Sequence, residues 1–544
     1  MKKFLEGWPD ELRATMCGMS WDDKFFEGKP EPRSTIVRHL RVDKVFSGRY
    51  GQLVIRNVRL SPESIQKLGD ARGARHLTML TISGQHIGPL GMQRLARAKH
   101  LESLHHLTAN RCKFGPRGFE PLARSPLFGQ LESLSLKGNE FNENALDVLA
   151  TIAKPVPLRS LALDDNPLGR VGAAFLAATP AFSSLTKLSL SECGLGIGGA
   201  EELANAMFPA LEELDVSKNR LGDAGVVALT SRRHSVQRLD IDGDTIGPEG
   251  VRALARSGWP LRSLSLCTNR IDDDAVRAFA EAKWPHLTEL TLDDNDVTPT
   301  GLEALLTSTT MPALAGLSLR TNLLGPTSFA HVGVAARHLR KLQLTHNRLG
   351  DQGLSAICAA PWEQLEELEL DHNGIHAEGF VQLVGAPFFD QLTYLNLAHN
   401  ALGRDLPSMV WPSKLDYLNL SDNQVGDELI ATLAQSSCRP QTLVLRNCGL
   451  TDRSALALAD SPVLERVTRL VLDENAIGDE GALALTRALD GRDVRVLSLE
   501  KNQLGNESVV ALAQSESLVA FVEKNPYGDP GRRALERVPP RCCP

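Results

Sequence analysis

Aliphatic residues recur along this chain at a fixed rhythm. The stretch Leu211–Gly225 reads Leu-x-x-Leu-x-Val-x-x-Asn-x-Leu-Gly-Asp-x-Gly. Counting its first Leu as position one, the same register begins at 50, 77, 104, 131, 158, 185, 211, 236, 261, 287, 314, 339, 365, 392, 415, 440, 467, 494 and 517, with spacings of 23 to 27 residues. Positions one, four and six put aliphatic side chains on one side of a short strand, and positions three, five and seven point to the other. A turn follows. Gly222, Gly350 and Gly478 stand where the chain must bend, and Asp223, Asp351 and Asp479 after them are placed to cap a helix N-terminus. Apolar residues at helical spacing, such as Val509, Leu512 and Ala513, then predict a helix with one buried stripe.

No single unit can bury its apolar face alone, so stability must come from stacking on neighbours. Parallel strands stack at about 4.8 Å and helices at about 8–10 Å, so strands inside and helices outside give a curve. The expected fold is an α/β horseshoe with a concave parallel sheet and convex helices. A length of 544 residues would otherwise suggest three or four domains. The repeat predicts instead an N-terminal cap over 1–49, one solenoid of about 19 repeats over 50–525, and a C-terminal cap and tail over 526–544.

Position nine is the most regular polar site. It holds Asn139, Asn166, Asn219, Asn269, Asn295, Asn322, Asn347, Asn373, Asn400, Asn423, Asn475, Asn502 and Asn525, with Cys112, Cys193 and Cys448, then Val58, Gln85 and Asp244, in the other units. A buried amide or thiol there can bond backbone groups left unpaired where the strand turns, and stacked copies form a ladder. The first three units and the last are degenerate, as terminal repeats facing water should be.

These residues resemble the leucine-rich repeat family, and the long Asn-x-Leu-Gly-Asp-x-Gly units are similar to the ribonuclease-inhibitor-like subclass, which includes Ran GTPase-activating proteins. The resemblance covers about 50 to 540. It implies a concave face that binds a protein partner. Two other functions are kept as alternatives: a GTPase-activating protein of the Ran type, and a ubiquitin-ligase adaptor or bacterial effector. The adaptor reading rests on an F-box-like echo in Trp8-Pro9-Asp10-Glu11-Leu12, which the following residues do not continue.

A formal net charge of −7 gives no basic field for nucleic acid. No stretch has about 18 uncharged apolar residues, so no membrane span is expected. The N-terminus lacks a secretory pattern, and nine cysteines without a Cys-x-x-Cys pair fit reduced thiols in a cytoplasm. Arg541-Cys542-Cys543-Pro544 does not have the spacing of a prenylation signal.

Gly194–Gly199 matches Gly-x-Gly-x-x-Gly, but it lies in register with every other repeat turn, where glycine is already required. No nucleophile elbow, P-loop or zinc-protease motif is present. The chain reads as non-enzymatic, without a cofactor. His346, His372 and His399 share position eight of three successive units, a weak candidate for a metal and otherwise a solvated ladder. Strand-face positions in the units from Leu131 to Val494 carry 13 basic and 21 acidic residues, which favours a partner with a basic patch. The densest acidic group is Glu366, Glu367, Glu369 and Asp371, with Asp293 and Asp294 nearby in the series. Arg340 and Lys341 are in register to pair with Glu366 and Glu367, whereas Glu369 and Asp371 face neutral Gln343 and Thr345. Tyr394 and Tyr417, at position three of consecutive units, supply aromatic anchors beside it. Trp259, Trp284 and Trp362 precede position one and are expected to cover the helix-to-strand connection.

Overall fold

The computed structural model describes residues 51–537, apart from 56–59, 153, 207, 405, 407, 408, 493 and 516. The expected cap over 1–49, the Trp8–Leu12 segment, Val58, and Cys542 and Cys543 lie outside the described residues. The chain divides into two compact units, the first ending at Asn269 and the second beginning at Arg270. Among the described residues, no helix is long and apolar enough to cross a membrane.

In the first unit, strands form where the register puts positions three to five: β1 (Gly51–Ile55), β2 (Leu77–Ile82), β3 (His106–Thr108), β4 (Ser133–Ser135), β5 (Ser160–Ala162), β6 (Lys187–Ser189), β7 (Glu213–Asp215), β8 (Arg238–Asp240) and β9 (Ser263–Ser265). Each pairs in parallel with the next, with like positions opposed: Leu134 against Leu161 and Leu161 against Leu188. The second unit repeats the plan with β10 (Glu289–Thr291), β11 (Gly316–Ser318), β12 (Lys341–Gln343), β13 (Glu367–Glu369), β14 (Tyr394–Asn396), β15 (Tyr417–Asn419), β16 (Thr442–Val444), β17 (Arg469–Val471), β18 (Val496–Ser498) and β19 (Ala520–Phe521). Positions one, four and six are core. Leu131, Leu134 and Leu136 are buried, as are Leu365, Leu368 and Leu370, and each such side chain contributes about 1.5–3 kcal/mol of burial energy. Helices lie on the far side of this core, and the mismatch between strand and helix spacing makes each unit a curved α/β solenoid with its strands inside.

Among the described residues, the helix predicted in every unit is missing from three. The unit at Leu131 has a 3-10 turn over Asp147–Thr151, and the unit at Leu314 has one over Val334–His338. In the latter, Gly325-Pro326-Thr327-Ser328 and Gly333 replace the helix-forming residues found elsewhere. The unit at Leu392, only 23 residues long and containing Pro407, has no helix among its described residues. The tryptophans are structural. Trp259, Trp284 and Trp362 are buried, and their indole N–H groups donate to the carbonyls of Arg232 (3.0 Å), Phe279 (3.2 Å) and Ile357 (2.9 Å).

Position nine ties each repeat to the one before. Asn166 accepts at Oδ1 from the N–H groups of Asn139 (2.9 Å) and Phe141 (3.1 Å) in the preceding repeat. Its Nδ2 donates to the carbonyls of Leu136 (3.1 Å) and Leu163 (2.7 Å). Cys193 and Cys448 keep the donor role with one hydrogen: their thiols reach the carbonyls of Leu163 (3.3 Å) and Leu420 (3.2 Å). Burial pushes both thiols up to about 12, so they stay protonated.

The aspartates that follow the turn do not cap their own helices, contrary to the sequence expectation. Asp223 lies inside the helix Gly222–Leu229, and its Oδ1 accepts from Gly247 N (2.7 Å) and Gly250 N (2.8 Å), the first turn of the next helix. Asp351 likewise serves His376 N (2.7 Å) and Gly379 N (3.2 Å), and Asp479 serves Gly505 N (2.9 Å) and Ser508 N (3.2 Å). The reason is the stack: neighbouring helices lie side by side, so a carboxylate in one first turn reaches the free N–H groups of the other. It also explains the glycine at Gly379, where a Cβ would overlap the Asp351 carboxylate. The preceding glycine bends as expected at Gly222 (φ 57°) and Gly350 (φ 59°), but Gly478 has an ordinary φ of −99°. Asp223→Ala should cost about 1 kcal/mol in urea unfolding. Amide exchange should accelerate at Gly250 and not in Gly222–Leu229; the reverse pattern would return the cap to its own helix.

Candidate partner-binding surface

The strand face of the second unit is built from positions that alternate away from its leucine core. Across it, Lys341, Glu367, Tyr394 and Tyr417 stand opposite one another in register at position three, and Gln343, Glu369, Asn396 and Asn419 at position five. The predicted lateral pairs form: Arg340 Nη2 lies 2.6 Å from Glu366 and Lys341 Nζ 3.6 Å from Glu367.

Glu369 and Asp371 are not the uncompensated carboxylates that their neutral neighbours suggested. Arg320, on the turn after β11, reaches across β12 to place Nη2 2.5 Å from Glu369 Oε2, and Gln343 donates to Oε1 at 2.6 Å. Asp371 Oδ1 accepts from Thr345 Oγ1 (2.7 Å) and Asn396 Nδ2 (2.9 Å), and His372 Nδ1 lies 3.1 Å from its Oδ2. Their side chains are only 12% and 13% exposed, against 38% and 44% for Glu366 and Glu367. An approaching cation therefore meets Glu366 and Glu367 first. Asp293 is also occupied, accepting from Ser318 Oγ (2.5 Å) and Arg320 N (2.8 Å), while Asp294 is exposed. Asp164, Asp242 and Asp473 hold the backbone N–H of the following repeat in the same way. Position seven is thus partly a structural acceptor, a role the repeat period could have disclosed.

Arg320 has no counterpart in the sequence reading, because a side chain that skips a strand leaves no trace in register. Arg320→Ala should lower unfolding stability by about 1–3 kcal/mol, since it leaves Glu369 largely buried without a cation. Adding Glu369→Gln should recover much of that loss; a double variant no better than the single one would remove the pair from the account.

Beside this network the rings of Tyr394 and Tyr417 stack with centroids 4.1 Å apart and planes 5° from parallel. Both are half-buried. Burial first, and the second phenol next, hold the Tyr394 hydroxyl protonated well above its ordinary range. The three histidines also stack, His346 on His372 at 3.9 Å and His372 on His399 at 4.1 Å. His399 Nε2 faces Asp422 Oδ2 at 3.3 Å. Among the described residues no group of three or more His, Cys, Asp or Glu is arranged to hold a metal ion. Burial, and then the His372 ring, lower the pKa of His346.

In the first unit, a cleft of about 470 Å³ is lined by residues including Arg111, Lys137, Asp164, Glu192 and Asp215. Lys137 Nζ lies 3.0 Å from Asp164 there.

The repeat geometry agrees with comparison to known proteins. The leucine-rich repeat family matches at residues 183–204, 209–229, 285–306, 335–358, 412–428, 467–485 and 492–513. The ribonuclease inhibitor of Mus musculus is 26% identical over 272 residues, which are 48% of this chain and 51% of that protein. The chain carries leucine-rich repeats and is similar to ribonuclease inhibitor. It spans about half the length of that curated relative. Among solved structures, a Leptospira interrogans leucine-rich repeat protein is 20% identical, with 80% of this chain and 94% of that one covered and a TM-score of 0.39. The Arabidopsis receptor kinase HAESA, in complex with the peptide hormone IDA and the co-receptor SERK1, is 16% identical, with 89% and 80% covered and a TM-score of 0.34.

Proposed function

We propose that this chain is a non-enzymatic scaffold, acting in the cytoplasm, that holds a protein partner against the strand face of its second unit between Lys341 and Asp422. The Tyr394–Tyr417 stack carries the reading. Two aromatic rings placed together on a surface, away from the leucine core, offer a large rigid contact at low entropic cost, which is the usual composition of a binding hot spot. The relative it resembles is named as an inhibitor, a role exercised by contact.

The preference for a basic patch on the partner rests on Glu366 and Glu367, the carboxylates left most accessible after Arg320 has engaged Glu369. Charge at such a rim mainly sets encounter rate and salt sensitivity. The excess of acid over base on the strand face argues for protein over nucleic acid. The buried, unpaired thiols of Cys112, Cys193, Cys438 and Cys448 suit a reducing compartment. Affinity capture with the wild-type chain and with Tyr394→Ala/Tyr417→Ala tests the site: the partner should be lost from the variant, and identical captured sets would discard it.

A further inference from the structure

Asp244 occupies position nine in the first unit, where the repeats on either side have Asn219 and Asn269. Its side chain is completely buried. Oδ1 does what an asparagine oxygen does, accepting from Asn219 N at 2.8 Å and Leu221 N at 3.0 Å. Oδ2 is buried with no hydrogen-bond partner.

The ladder shows what Oδ2 faces. In the asparagine repeats the position-six carbonyl receives the amide of the next repeat, as Leu319 O, Leu370 O and Leu499 O do, and in some repeats its own repeat's amide as well. Leu136 O takes Asn139 Nδ2 at 2.9 Å and Asn166 Nδ2 at 3.1 Å, and Leu344 O takes Asn347 Nδ2 at 3.0 Å and Asn373 Nδ2 at 2.9 Å. Around Asp244 the corresponding carbonyls receive one amide each: Val216 O from Asn219 at 2.7 Å, and Ile241 O from Asn269 at 3.0 Å. Val216 O lacks the next repeat's amide, which is the group that Asp244 has replaced, while Ile241 O keeps the next repeat's amide from Asn269. A carboxylate oxygen among carbonyl oxygens is repulsive and desolvated, whereas a carboxylic acid has one O–H to give.

We infer that Asp244 is a proton-dependent link in the ladder: as a neutral acid its Oδ2 hydrogen replaces the asparagine amide hydrogen, and as a carboxylate it opens the joint between the repeats at Leu211 and Val236. Burial raises its pKa to about 6. The charged groups around it do not supply a counterion. In the preceding repeat, Lys218 is paired with Glu192 at 2.7 Å, Arg220 is exposed, and Asp223 caps the next helix. On its own strand and the following turn, Asp242 accepts from Ser265 Oγ and Cys267 N, both at 2.7 Å. Asp240 is itself raised to about 6 by burial and by Asp215 and Asp242. The turn of the following repeat, Cys267–Asn269, has no charged residue.

The sign follows from the direction of the shift. The folded form holds a proton that the unfolded chain has released, so stability is complete below the ordinary aspartate range and is lost as pH rises through about 6. Asp244→Asn supplies the donor at every pH and leaves Asp215, Asp240 and Asp242 in place. Relative to Asp244→Asn, the folding equilibrium constant of the wild-type chain should fall about a hundredfold between pH 4 and pH 8. A ratio that does not change with pH overturns the inference. Independently of stability, the wild-type minus Asp244→Asn infrared difference spectrum should show a protonated carboxyl C=O band at pH 5 that disappears by pH 8. Its absence at pH 5 likewise overturns it.

Discussion

Asn166→Leu is expected to destabilise the first unit by about 3–5 kcal/mol, measured as a lower midpoint in denaturant unfolding. The side chain is the right size and is fully buried, so lost packing is not the cause. Leucine would leave the N–H groups of Asn139 and Phe141 without their acceptor, and the carbonyls of Leu136 and Leu163 short of a donor. Each buried backbone group left unpaired costs about 1–3 kcal/mol, and no water can reach this one without opening the stack. Because stability in a repeat chain is shared between neighbours, exchange protection should fall at the flanking repeats as well as at Asn166. A loss below about 1 kcal/mol would mean that the ladder is a consequence of the stack and not one of its supports.

Much of this was legible in the sequence, because position nine repeats often enough for its role to show through the period. The direction of capping was not. An aspartate in the first turn of a helix has the same sequence context whether it serves its own N-terminus or that of its neighbour, and only the side-by-side stacking of Gly222–Leu229 on Pro248–Arg256 decides. The candidate site was half legible for a related reason. Register places Arg340 opposite Glu366 and Tyr394 opposite Tyr417, since these are contacts between adjacent strands. Arg320 reaches Glu369 over an intervening strand, and that depends on side-chain length and on the space above Gln343. Asp244 stood out as an exception to the ladder, but its meaning required knowing which carbonyl was short of a donor.

Replacing Tyr394 and Tyr417 with alanine is expected to weaken partner binding by about 30-fold or more for each ring. Titration calorimetry or surface-bound kinetics with the captured partner would measure it, and the loss should appear in the dissociation rate. The unfolding midpoint should move little, because both rings lie outside the leucine core and stack on each other. Glu366→Lys/Glu367→Lys serves as the contrast. It should reduce the association rate and its salt dependence while leaving dissociation nearly unchanged, since these two carboxylates are exposed at the edge of the surface. A tyrosine variant that binds normally while the charge variant fails would move recognition from the rings to the acidic rim.

The outward service of Asp223, Asp351 and Asp479, together with the backward service of the position-nine amides, gives such joints a handshake with one hand from each side. Excising one full period and rejoining the ends restores the same grip between new partners. A cut of any other length strands an open palm on both flanks. Lineages of such chains can therefore lengthen or shorten only by whole turns, much as a zip can lose only entire teeth.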